Sequence, residues 1–156
     1  MPNWCSNKLT LTHKDPAMIT RAVEGFICER LLDEFVPLSS KTVDDANRSW
    51  GTKWDVGGPP EDVEGGDLGD HEVTFIFDSA WSPPVDAYSK FEEQGFEVIA
   101  YYWEPGNAFC GEYIGGVNYY YNIEGDSKWV RENIPESIIN EFDMVEQMEY
   151  YEVEDE

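Results

Sequence analysis

The sequence predicts an α+β fold, a mainly antiparallel sheet with helices on one face, followed by a C-terminal helix and an acidic tail. Three observations carry this prediction. Short runs with apolar residues at alternate positions recur along the chain; two segments between them place apolar residues at helical spacing; and the later strand runs are joined by a glycine pair suited to a hairpin. The 156 residues suit one domain, placed at 1–143 with a long loop over 39–72, and an acidic tail over 144–156. With 41% hydrophobic and 15% aromatic residues, the chain has enough apolar surface to offset the entropy of ordering it, except at the extreme C-terminus.

Lys8 to Thr12 alternates, with Leu9 and Leu11 on one face of a half-buried strand. His13-Lys14-Asp15-Pro16 turns into a helix, with Asp15 as N-cap and Pro16 in its first turn. Ile19, Val23, Phe26 and Ile27 then form one apolar stripe to about Cys28. Leu31 to Leu38 is an apolar exit segment. Residues 39–72 are largely polar, with Gly57-Gly58-Pro59-Pro60 and Gly65-Gly66; Trp50 and Trp54 argue that the first half packs down, while 61–70 reads as mobile.

Val73 to Phe77 is a strand, with Val73, Phe75 and Phe77 on one face. Ser82-Pro83-Pro84 opens a second helix, capped by Ser82, with Val85, Tyr88 and Phe91 facing inward and Gly95 as its stop. Phe96 to Trp103 is the next strand, closed by Glu104-Pro105-Gly106. Phe109 to Asn122 is a hairpin turning at Gly115-Gly116. Ser127 caps a helix with Trp129, Val130 and Ile134; Pro135 interrupts it, and Ile138, Ile139 and Phe142 resume it.

The chain carries 33 acidic and 10 basic side chains, a net charge of −23. Such a charge repels nucleic acid and anionic membrane as direct partners. It is also uneven. Residues 1–60 hold eight acids and seven bases, a net of −1; residues 61–156 hold 25 acids against Lys90, Lys128 and Arg131, a net of −22. The odd, widely spaced Cys5, Cys28 and Cys110 fit free buried thiols in a reducing cytosol. With no signal-peptide pattern and no long apolar run, a soluble cytosolic protein is expected.

No catalytic constellation stands out. His13 and His71 lie in no recognisable motif with Cys5 or Cys110, and no closely paired Cys or His ligands for zinc appear. Asp62, Glu64, Asp67, Asp70 and Glu72 lack the EF-hand order, and no glycine-rich phosphate cradle is present. No cofactor or metal is expected. Tyr119-Tyr120-Tyr121, with Phe109 and Tyr113, offers aromatic faces, but Glu112, Glu124 and Asp126 surround it in place of the basic frame that base stacking needs.

Three tryptophan-centred segments are more distinctive: Met1-Pro2-Asn3-Trp4-Cys5-Ser6-Asn7, Trp50-Gly51-Thr52-Lys53-Trp54-Asp55 and Ala80-Trp81-Ser82-Pro83-Pro84. With Glu104-Pro105-Gly106 and Phe109-Cys110-Gly111, they resemble the YubB-type family of phage and plasmid proteins over residues 1–125. The resemblance implies a ferredoxin-like domain and a mobile-element origin, and it brings no activity with it.

Two functional expectations follow. The first is a non-enzymatic interaction protein whose carboxylates imitate nucleic-acid phosphates and occlude a basic surface of a host nucleic-acid-binding or defence protein. Its acidic surface is expected from Glu61, Asp62, Glu64, Asp67, Asp70, Glu124, Asp126, Glu141, Asp143, Glu146, Glu149 and Glu152. The alternative is a small-ligand or enzymatic site in which Asn3, Lys53 and Asp55 supply polar groups among the indoles of Trp4, Trp50, Trp54 and Trp81. The same indoles can equally serve packing alone.

Overall fold

Strand β1 (Trp4–Thr12) is the axis of a six-stranded sheet, hydrogen-bonded on both sides. On one side it pairs antiparallel with β3 (Glu72–Ala80), from Trp4 opposite Ala80 to Thr12 opposite Glu72. On the other it pairs antiparallel with β4 (Glu97–Glu104), from Ser6 opposite Trp103 to Thr12 opposite Glu97. Short β2 (Val63–Gly65) flanks β3, and the hairpin of β5 (Phe109–Ile114) and β6 (Val117–Asn122) extends the β4 edge. The order is β2-β3-β1-β4-β5-β6, antiparallel throughout. The computed structural model describes residues 2–154; Met1 of the first tryptophan segment and Asp155 and Glu156 of the expected tail lie outside the described residues.

This order is the ferredoxin-like plan with a hairpin added. Helix α1 (Pro16–Ile27) lies between β1 and β2 in the chain, and those strands run parallel with β3 between them. Helix α4 (Val85–Glu93) likewise links β3 to β4 around β1. The two split βαβ units interleave.

The period of two in β1 assigns the faces. Cys5, Asn7, Leu9 and Leu11 are buried against the first helices, while Ser6, Lys8, Thr10 and Thr12 point to the other face. The Asp15 carboxylate caps α1 by accepting from Ala17 N at 2.9 Å, and Pro16 opens the helix. Ile19, Ala22 and Phe26 then face the sheet, where Phe26 stacks on Phe75 at 4.4 Å between ring centroids. Burying a side chain of that size stabilises the fold by about 1.5–3 kcal/mol. Helices α2 (Leu31–Phe35) and α3 (Val43–Trp50) complete this layer with Leu31, Leu32, Phe35, Ala46 and Trp50.

Helices α5 (Ser127–Asn133), α6 (Glu136–Phe142) and α7 (Met144–Glu154) take the opposite face, over β4 and β5. Their core unites Val130, Ile134, Ile138, Ile139, Met144 and Val145 with Trp103 and Cys110. The expected helices on one face are thus α1 to α4, and the C-terminal helical segment forms a second layer.

Several local expectations are corrected. The stretch 39–72 contains α3, a 3₁₀ turn at Pro60–Asp62 and β2. The α3 ends were written in the sequence: Thr42 Oγ1 accepts from Asp45 N at 3.2 Å, and Gly51 closes the helix at φ 84°. Ser82 does not cap α4; Pro84 occupies that position, and the Ser82 hydroxyl donates to the Gly51 carbonyl at 2.5 Å. Asp126, not Ser127, caps α5, accepting from Trp129 N at 3.1 Å. The strands read as Lys8–Thr12 and Val73–Phe77 run longer, because their ladders continue to Trp4 and Ala80. Through Glu154, the segment read as a tail is helix α7, with Met144 and Val145 buried at its start.

Gly115 and Gly116, at φ 60° and 79°, make the hairpin turn that their sequence predicts. Gly111 is required for another reason. A Cβ there would stand 2.6 Å from the Tyr119 carbonyl oxygen and closer still to the Tyr102 hydroxyl. Gly111→Ala is expected to lower stability in a urea melt by about 1–3 kcal/mol through overpacking; an unchanged midpoint would show that Tyr102 has room to move.

Candidate functional site

The three tryptophan segments meet at one end of the β1–β3 ladder. Trp4 pairs with Ala80, and Trp81 N donates to the Asn3 carbonyl at 2.8 Å. Trp81 itself sits at φ 70°, a left-handed conformation that bulky residues rarely adopt and that marks a constrained position. Trp4 and Trp54 lie 6.1 Å apart between centroids, tilted by 49°. Trp4, Trp54 and Trp81 remain 47%, 44% and 42% exposed.

The remaining segment residues divide between structure and surface. Trp50 is buried and donates from Nε1 to the Val36 carbonyl at 2.8 Å. Asp55 anchors the start of α2: its oxygens accept from Leu32 N at 2.8 Å, Asp33 N at 2.9 Å and Val56 N at 2.8 Å. Burial nevertheless raises its pKa against the pull of these amides. Trp50, Lys53, Trp54 and Asp55 line one concavity of about 400 Å³ (≈ 420 Å³) with Arg30 and Lys41, whereas Asn3, Trp4 and Trp81 lie outside it. Lys53 Nζ stands 4.6 Å over the Trp54 ring, a cation–π contact.

The acids fall into three groups. Asp126 caps α5, Glu152 accepts from Ser127 N at 3.0 Å and Ser127 Oγ at 2.8 Å, and Glu149 pairs with Arg131 at 3.0 Å; these carboxylates hold the C-terminal helices together. Asp67 and Asp70 form the turn before β3, where Asp67 N donates to Asp70 Oδ2 at 2.9 Å; Glu61, Glu124 and Glu146 are exposed elsewhere. The third group surrounds Lys8 on the open sheet face. Glu141 from α6 bonds Lys8 Nζ at 2.8 Å. That bond raises the Lys8 pKa against desolvation, with a further contribution from Glu64 on β2. Lys8, Glu141 and Asp143 line a groove with Asp78. The Asp78 carboxyl is itself pushed up by burial and then by the neighbouring charge of Asp62, with a Ser6 hydrogen bond opposing.

Glu64 from the first acid-rich part of the sequence and Glu141 and Asp143 from the second are therefore brought to the Lys8 face, whereas the Asp62 carboxylate lies beside Gly58. Asp78 and Lys8 are the members that the sequence reading did not select. Their signal was alternation: each neighbours a buried residue in a strand and so faces outward.

Cys5 and Cys110 are buried as expected, whereas Cys28 is exposed. Burial pushes the Cys5 thiol far above its usual range and the Cys110 thiol up to about 12, leaving both protonated. Both histidines bond backbone in the turns beside β1, His13 through Nε2 to the Gln94 carbonyl at 2.9 Å and His71 through Nδ1 to the His13 carbonyl at 3.0 Å. Among the described residues, no group of three His, Cys, Asp or Glu stands together to hold a metal ion, and no helix is long and apolar enough to cross a membrane. At the far edge, Tyr119 and Tyr120 are about half exposed on β6, while Tyr121 packs against the second core.

Comparison of the chain with protein-family models, with curated proteins and with solved structures finds no match. The site is accordingly read from its own chemistry.

Glu34 beside the concavity gives a pH test. Hydrogen bonds from Arg21 at 2.6 Å and Arg30 at 2.5 Å hold its carboxyl below the usual range. A depressed folded-state pKa contributes stability that is present above the unfolded value and lost as pH falls through the folded one. Glu34→Gln should lower the urea midpoint at neutral pH, with the difference from wild type disappearing in acid. A difference that persists unchanged in acid would contradict this role.

Proposed function

We propose that the protein is a non-catalytic interaction protein of a phage or plasmid, acting in the host cytosol. It presents its acidic sheet face to a basic groove of a host nucleic-acid-binding or defence protein. The carrying observation is the convergence of Glu64, Asp78, Glu141 and Asp143, from separate elements, about the single lysine Lys8. Lys8 neutralises one of these charges and fixes α6 to the sheet, while the others stay available on a rigid surface. Carboxylates held this way attract a cationic groove and speed its encounter, as the phosphates of a duplex would. The mechanism is occlusion without turnover. The tryptophan segments, with Glu104-Pro105-Gly106 and Phe109-Cys110-Gly111, carry the YubB-type resemblance and fit a mobile-element protein, and a net charge of −23 argues against direct nucleic-acid contact.

The test compares wild type with a double charge reversal, Asp78→Lys with Asp143→Lys, as bait in a host lysate, with a DNA duplex added as competitor. Both positions reach the surface, but Asp78 is partly desolvated and Asp143 holds φ 48°, so the variant's urea midpoint is measured first to establish that it folds. Wild type should capture a basic protein at low ionic strength, release it as salt rises, and lose it to the duplex. The reversed variant should capture at least about tenfold less, the equivalent of about 1.4 kcal/mol. Capture that is equal for both baits, or indifferent to salt and duplex, would refute the proposal.

A further inference from the structure

The concavity formed by α2, α3 and the Trp54 segment lies on the side of the sheet covered by α1 to α4, away from the acidic face, and it gathers three cations with two carboxylates. We propose that it binds a small aromatic anion of the nucleoside monophosphate type, a flat ring carrying a phosphate. This goes beyond the acidic-face reading and stands independently of it.

Charge is the first ground. Arg30, Lys41 and Lys53, three of the ten cations in a chain with 33 acids, line this one concavity. Arg30 is taken by Glu34 at 2.5 Å. Among the described residues, Lys41 and Lys53 form no ion pair, as is also true of Lys14, Arg48, Lys90 and Lys128, and they are the two such cations that line this concavity. The two carboxylates at the site keep their charge but form no ion pair with either lysine. Asp55 directs both oxygens at backbone amides, and Asp33 Oδ1 faces the Leu38 amide at 3.4 Å. The start of α3 adds no attraction of its own, because Asp44 and Asp45 occupy its first turn.

Shape and surface are the second ground. The volume of ≈ 420 Å³ falls in the range of small-molecule sites. Its apolar wall is Leu38, Ala46 and Trp50, with the Trp50 indole fixed by its bond to Val36. Trp54 offers an indole that is 44% exposed, with the Lys53 ammonium 4.6 Å over it. A flat ring against Trp54 gains stacking, and an attached phosphate meets the two unpaired ammonium groups. Inorganic phosphate would forgo the indole, and a neutral ring would forgo the lysines. A nucleic-acid polymer would bring its further phosphates against the chain's acid excess.

Calorimetric titration at low ionic strength with AMP, adenosine and inorganic phosphate tests this on the full chain. AMP is expected to bind saturably, with adenosine and phosphate each weaker by at least about tenfold. Lys41→Gln and Lys53→Gln should each weaken AMP by about tenfold, and Lys53→Arg should largely restore it. Lys41 is exposed, so Lys41→Gln decides the matter if the Lys53 variants fail to fold. Absence of saturable AMP binding, adenosine binding as tight as AMP, or AMP affinity unchanged in folded Lys41→Gln would each overturn the proposal.

Discussion

Pairing of β1 on both sides is the constraint from which the rest of the structure follows. A strand with neighbours on both edges has its backbone groups satisfied along its length, and its alternating side chains must serve two different surfaces. Leu9 and Leu11 therefore enter the core with Phe26, Phe75 and Val98, while Lys8, the residue before Leu9, is held on the opposite face. The same ladder brings Trp4 level with Ala80, which places Trp4 beside the tight Trp81 turn and within reach of Trp54. Core, acidic face and tryptophan cluster are three outcomes of one register.

That register also redistributes the charge. In sequence, a nearly neutral segment precedes a polyanionic one. In space, β1 from the first lies between β3 and β4 from the second, so the boundary at residue 60 does not divide the molecule into two halves. What survives is a difference between faces. The open sheet face gathers Glu64, Asp78, Glu141 and Asp143 about one lysine, and the α2–α3 concavity holds Lys41 and Lys53, which form no ion pair among the described residues.

Strands and the first helix were legible because their signals are local: alternation in Lys8 to Thr12, the Asp15-Pro16 cap, and Gly115-Gly116 at the hairpin. Helix α3 was not recognised inside 39–72, since its exposed residues are polar and Val43, Ala46 and Trp50 make a sparse stripe, although Thr42 and Gly51 marked its ends. The capping errors at Ser82 and Ser127 share a cause. Each serine hydroxyl was claimed by a distant partner, Gly51 and Glu152 respectively, which no local pattern announces. For the site, the sequence could name acids but not sort them. Asp126, Glu149 and Glu152 support helices, and only the tertiary approach of Glu64 and Glu141 to Lys8 distinguishes the acids that make a surface.

If the acidic face is maintained for binding, its like charges should weaken the fold that carries them, and screening should relieve the strain. Asp78 is the place to look, because both burial and Asp62 disfavour its ionised form. The decisive measurement is urea-induced unfolding of wild type and Asp78→Asn at neutral pH across a range of salt concentrations. The variant should be the more stable at low ionic strength, and its advantage should shrink as salt is added. A less stable variant, or an advantage independent of salt, would mean that Asp78 serves the fold and would contradict a surface kept acidic for a partner.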